Sequence, residues 1–305
     1  MDPLERAVDT VVNQCLGVVA GENVVVVADT TTRRTGNIMR EAAAAAGADA
    51  VVIVMEPRDT DSQEPPPPVA AALANCDVYI VPTARSLSHT RARRAATHAG
   101  ARGATLPGVT DDMLSRLMDC DLPTLQRRSR ALAQLLTDAD EARFTCPNGS
   151  DMRLDLFART GIADDGDLTR GGAFGNLPCG EAFIAPVGGD GVLYATSLAG
   201  VGTVAERPAR LTVANGELVD VEGSEGEELL RRLRDAGPHG VNLAELGIGT
   251  NERAACSATS SRTRRSSARC TSPSGPARAS AARCRCPSTS TASSCRRRST
   301  SAGRA

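Results

Sequence analysis

NVVVVAD, residues 23–29, is the stretch on which the fold turns. Four consecutive valines put β-branched side chains on both faces of any strand they form. The run therefore suits a parallel strand covered on both sides, not an antiparallel strand with one wet face. On its N-terminal side, residues 4–18 carry Leu4, Val8, Val11, Val12 and Cys15 at helical spacing. On its C-terminal side, TGNIMREAAAAAG (35–47) reads as a helix closed by Gly47, and DAVVIVM (49–55) as a second apolar strand. Beyond the PPPP loop (65–68) the pattern continues with helix 69–75, strand DVYIVPT (77–83), helix 88–99, a short strand near 102–106 and helices 110–118 and 123–137. Strands alternating with helices predict a doubly wound parallel sheet.

From about residue 140 the rhythm changes to strand-like segments punctuated by Gly, Asn and Asp: EARFTCP (141–147), MRLDLFA (152–158), EAFIAPV (181–187), GVLYATS (191–197) and ARLTVANGELVDVEG (209–223). Asn215-Gly216 sits between two alternating runs and predicts a hairpin. Helix 225–236 and the apolar LAELGIG (243–249) follow. The expected organisation is an α/β N-terminal domain (1–142), a mostly β, α+β domain that stops short (143–253) and a disordered tail (254–305).

The chain has 305 residues, 41% of them apolar, enough for real cores. Its N-terminus mixes acids among its apolar residues, unlike a signal peptide, and no eighteen apolar residues run together. A cytoplasmic protein with no membrane partner is expected. The formal charge of -1 hides an asymmetry, because all 36 acids lie before residue 254 and 11 of the 35 arginines lie after it. There is no lysine, which suggests codon usage driven toward G and C. Five cysteines are scattered through the body (Cys15, Cys76, Cys120, Cys146, Cys179), most simply as small buried thiols, and five crowd the tail.

Residues 254–305 use only Ala, Arg, Cys, Gly, Pro, Ser and Thr. Ordinary disordered segments are rich in Glu, Gln and Lys, so this alphabet needs another cause. These residues have codons with G or C in the middle, which is what a GC-rich gene yields when read one base out of register. A zinc knot is a poor reading, since Cys284-x-Cys286 lacks a spaced second pair. A nucleic-acid arm is equally poor, since no aromatic stacking residue accompanies the arginines.

GNLPCGEAFIAP (175–186) leads a turn directly into an apolar strand, with Glu181 at its first position. A carboxylate on an apolar face is costly unless paired or bound to a metal, although a solvated strand-end Glu is the simpler reading of the motif alone. AELGIGTN (244–251) repeats the situation, with Gly247 and Gly249 on the face of Glu245. His89 and His98, among Arg91, Arg93 and Arg94, read as a solvated face, and His239 in GPHG as a turn residue. Asp164 and Asp165 in GIADDG suit either a site lining or a turn. Neither a dinucleotide-binding glycine fingerprint nor a nucleophile elbow is present.

Taken together, GNLPCGEAFIAP, AELGIGTN, GIADDG (161–166) and TARSLSHTRAR (83–93) resemble the aminopeptidase T family of metallopeptidases, in its shorter leucyl-aminopeptidase-like form, over residues 4–253. The resemblance implies an α/β domain followed by a domain with a two-metal site. Glu181 and Glu245 would be ligands to divalent ions such as Zn, Co or Mn, and peptides the substrates. The family's other ligands are His and Asp on later strands. Thr271, Thr289 and Thr291 stand where they would fall, in the tail that reads as frame-shifted. The same family includes an Fe(II) ring-cleaving dioxygenase of dihydroxypyridine, which gives a second reading with a small-molecule substrate. A third reading is an inactive remnant or binding protein, and a homodimer stays open as the assembly.

Overall fold

The computed structural model describes residues 2–198, 201–203 and 208–254, together with the strand backbones of 267–270, 280–283 and 295–297. The chain begins with α1 (Pro3–Asp9), which continues through Cys15 as a wider helical turn. Then come β1 (Asn23–Asp29), α2 (Arg33–Ala45), β2 (Asp49–Met55), α3 (Pro67–Leu73), β3 (Val78–Val81), α4 (Arg91–His98), β4 (Arg102–Thr105), α5 (Asp111–Met118) and α6 (Leu122–Asp138). The second half supplies β5 (Ala139–Thr145), β6 (Asp151–Asp155), β7 (Ile162–Asp164), β8 (Phe174–Asn176), β9 (Glu181–Ile184) and β10 (Gly188–Ala195). These are followed by β11 (Ser197–Leu198), β12 (Gly202–Thr203), β13 (Ala209–Ala214), β14 (Glu217–Glu222), α7 (Ser224–Asp235) and β15 (Leu243–Gly249). Three short strands lie within the stretch expected to be a disordered tail: β16 (Ser267–Cys270), β17 (Ser280–Arg283) and β18 (Cys295–Arg297). Thr271, Thr289 and Thr291 lie outside the described residues.

The chain divides into two units, 1–126 with 164–180, and 127–163 with 181–305. β8 returns to pair in parallel with β4, which draws residues 164–180 into the first unit. The first unit holds a five-stranded sheet in the order β2-β1-β3-β4-β8, parallel throughout. The valine run behaves as its composition dictates. Val24 and Val26 pack with Val78, Ile80, Met39 and Leu114 on one face, while Val25 and Val27 pack with Tyr79, Val81, Leu73 and Ala96 on the other. Each such valine contributes about 1.5 kcal/mol or more by leaving water. Helix α2 lies close enough to β1 that a Cβ on Gly36 would come within 2.7 Å of the Ala28 Cβ, so only glycine fits there.

The second unit contains two sheets. One runs β14-β13-β10-β6-β5-β18, antiparallel, and the other β12-β11-β17-β16-β15-β9-β7. Their shared core includes Leu136 of α6, Leu154, Ile184, Leu193, Leu211, Leu229 and Leu233 of α7, and Leu246. The Asn215-Gly216 turn joins β13 to β14 with Ala214 opposite Glu217, and both turn residues have positive φ, +52° and +78°. That is the two-residue geometry Asn-Gly favours. Cys146, expected as a thiol, is disulfide-bonded. Among the described residues no helix is long and apolar enough to cross a membrane.

Candidate functional site

The GNLPCGE motif is split by the fold. Its first part belongs to the parallel sheet of the first unit. Asn176, at the end of β8, receives the Thr105 hydroxyl on its Oδ1 at 2.7 Å, and Ser88 Oγ lies 3.0 Å from the same oxygen and 2.7 Å from Thr105. Cys179 is buried, and its thiol is pushed well above the usual range by a hydrogen bond with Cys15 and by burial. A thiol held neutral in this way is not a nucleophile. Gly180, with φ +120°, makes the turn that only glycine makes easily, and its N–H donates to the Asp164 carbonyl at 2.9 Å.

The second part of the motif opens β9 in the second unit. Glu181 is 1% exposed, so the reading of a solvated strand-end Glu is overturned. It is the register partner of Gly249, and Phe183 that of Gly247. Strand alternation then puts Glu245, half-buried on β15, on the same face as Glu181. Four residues of register separate the two, about 13 Å at ~3.3 Å per residue. Beyond β15, Thr250 is buried, its hydroxyl 2.6 Å from that of Ser129 and its carbonyl accepting from Arg128.

Asp164 ends β7, the neighbour of β9 in its sheet, and Oδ1 of Asp165 accepts the Asp167 N–H at 3.0 Å in an Asx turn. His239 is an exposed turn residue, and His98 is exposed at the end of α4. His89 precedes α4, and partial desolvation followed by Arg93 and Arg94 holds its pKa below the ordinary histidine value. Arg93 corrects the expectation of a solvated basic face. It is buried, stacks 3.9 Å from the centroid of Phe174 and donates through Nε to the Ser88 carbonyl at 2.8 Å.

A residue missed in the sequence is Asp29, the acid that ends the valine run. It is fully buried at the carboxyl end of β1. Oδ1 accepts the Thr31 N–H at 3.0 Å and is 3.3 Å from the Thr32 hydroxyl, while Oδ2 accepts the Ala84 N–H at 2.6 Å. Strands β1 and β3 are where the sheet order reverses. Ligand crevices of open α/β sheets form at such a point, and here the carboxylate is taken up in clamping the two loops together. Its only sequence signal was a lone acid closing an apolar strand.

The metal chemistry implied by the resemblance can be tested against these donors. A two-metal hydrolytic centre needs several shared donors around ions about 3.5–4 Å apart, and a non-haem iron site needs two histidines and a carboxylate on one face. The chain has three histidines, and none follows His239. Among the described residues no group of three or more His, Cys, Asp and Glu could hold a metal ion. Glu181 and Glu245 share a face but stand too far apart in register to form a centre by themselves. The residues present therefore do not fit either kind of centre.

Comparison with known proteins bears on the reaction. The sequence model of the family described as "NicX: 2,5-dihydroxypyridine 5,6-dioxygenase" matches residues 4–274. No curated protein matches. The structure is similar to the 2,5-dihydroxypyridine dioxygenase of Pseudomonas putida KT2440, with a TM-score of 0.69 and 18% identity over 84% of this chain and 79% of that one. It is also similar to wild-type AmpT from Thermus thermophilus, with a TM-score of 0.59 and 18% identity over 81% of this chain and 78% of that one. At such identity both likenesses concern the fold, and together they place the resemblance to aminopeptidase T at the level of shared architecture. The expectation of a peptide-cleaving hydrolase is overturned by the family match. The chain belongs to the NicX family of 2,5-dihydroxypyridine 5,6-dioxygenases.

Proposed function

We propose that the reaction for which this fold is built is the oxygen-dependent opening of a small dihydroxylated nitrogen heteroaromatic ring, with Fe(II) as the metal of the complete family enzyme. The observation that carries this reading is the family match over residues 4–274, nearly the whole described chain. The face of β9 and β15 bearing Glu181 and Glu245 is the proposed wall of the site. Gly247 and Gly249 lie on that face, opposite Phe183 and Glu181. Because the donors present are incomplete, no catalytic step is assigned to a metal in this chain.

The test uses protein made from the gene with its reading frame restored beyond codon 253, supplied with Fe(II), oxygen and 2,5-dihydroxypyridine. Stoichiometric oxygen uptake with loss of the ring chromophore is expected. Metal-loaded protein that consumes no oxygen with this aromatic sinks the proposal.

A further inference from the structure

The mismatch between the family's metal chemistry and this chain's donors has a cause that can be read from residues 254–305. In a gene that keeps G or C at third positions, a one-base displacement moves that third base to the middle of every codon. The seven residue types found there are the outcome. We infer that residues 254–305 are the displaced reading of a donor-bearing segment, and that the 305-residue chain is consequently a member of the family that does not bind its metal.

The genetic code makes the inference specific. Under this displacement the first two bases of each tail codon are the last two bases of the codon it replaces. Thr codons begin AC, so each Thr replaces a codon ending in AC, and only Tyr, His, Asn and Asp have such codons. Six threonines lie in the tail: Thr259, Thr263, Thr271, Thr289, Thr291 and Thr300. Each marks a position where an oxygen or nitrogen donor has been replaced by a neutral hydroxyl, a poor ligand for a divalent ion. Cys codons begin TG, so each of the tail's five cysteines replaces Leu, Met or Val. They mark lost apolar positions, not a thiolate site.

The fold puts this segment beside the carboxylates. Strand β16 runs antiparallel to β15, with residue 269 opposite Glu245 and residue 267 opposite Gly247. Strand β15 pairs in turn with β9, whose first residue is Glu181. The overwritten stretch thus contributes to the same sheet that carries both acids, and Thr271 is the next residue after β16. Two carboxylates remain on the sheet while the donors from the adjoining strands are gone.

The inference rests on the family reading only for the identity of the metal. The experiment is calorimetric titration of the 305-residue protein with Fe(II) and with Mn(II) under anaerobic conditions. It runs beside the frame-restored protein, with a circular dichroism melt showing that each is folded. The expected result is no saturable binding by the 305-residue protein and stoichiometric binding by the restored one. Saturable binding by the 305-residue protein that is lost in Glu181→Gln overturns the inference, as does a folded restored protein that binds neither ion. A nucleotide sequence in which no one-base change between codons 250 and 260 opens a longer frame overturns it as well. A restored protein that binds Fe(II) but takes up no oxygen with 2,5-dihydroxypyridine refutes the proposed reaction and supports this inference. If the restored protein does not fold, the titration of the 305-residue chain decides.

Discussion

Asp29 and Ala84 are joined by a 2.6 Å hydrogen bond, from the Ala84 N–H to Oδ2 of Asp29, which ties together the loops leaving β1 and β3. The carboxylate is fully buried and also serves Thr31 and Thr32. Asp29→Ala would leave buried N–H groups without an acceptor, at a cost of about 3 kcal/mol. A urea unfolding midpoint unchanged from wild type would show that the clamp carries no stability.

Arg102 and Glu22 form a second buried link in the first unit, with side chains only 10% and 18% exposed. Arg102 also donates to the carbonyls of Leu16 and Gly17. The hydrogen bond from Arg102 holds the Glu22 pKa below its ordinary 4.5. A depressed carboxylate pKa contributes stability above the unfolded-state value and loses it as pH falls through the folded value. Arg102→Met is therefore expected to cost about 3 kcal/mol at neutral pH and to flatten the decline in stability below pH 4.5. Parallel stability curves for the two proteins across that range would contradict this.

Gly166 has φ +77°, and a Cβ there would lie 2.6 Å from Sγ of Cys179 and 3.3 Å from Sγ of Cys15. Gly166→Ala combines backbone strain with overpacking of a buried thiol pair, so a loss of about 2 kcal/mol is expected. Thermal unfolding measures it. Pairing the change with Cys179→Ala should recover part of the loss, since the clash is then relieved.

Arg93→Lys keeps the charge but gives up the planar stacking on Phe174 and the Nε bond to the Ser88 carbonyl. A loss of about 1 kcal/mol is expected. Arg93→Met should additionally raise the His89 pKa, because Arg93 is one of the cations holding it down. An NMR titration of His89 that does not move in the methionine variant would rule out that coupling.

Elements with strong periodicity or unbroken β-branching could be read directly from the sequence. β1 spans residues 23–29 and β15 residues 243–249, as their apolar runs imply. β8 could not be read, because three residues, Phe-Gly-Asn, carry no period, and only pairing with β4 makes them a strand. Arg93 was misread because a cluster of arginines carries no signal of which one faces inward, and it is Arg93 that is buried on Phe174. Glu181 and Glu245 were visible as acids in apolar surroundings, but their separation depends on register, which spacing within each motif does not contain. The peptidase reading was overturned by the family match, since two motifs shared by related folds do not distinguish the reactions built on them.

The late arrival of β8 also matters for how the molecule is made. Synthesis delivers the chain in order, so β4 remains the bare margin of a four-stranded parallel sheet until Phe174–Asn176 has left the ribosome. A fragment cut at residue 142, where the sequence rhythm changes, would keep that margin open permanently. Unpaired strand edges recruit other chains, so such a fragment would be sticky, and dissecting the protein requires a segment that reaches Gly180.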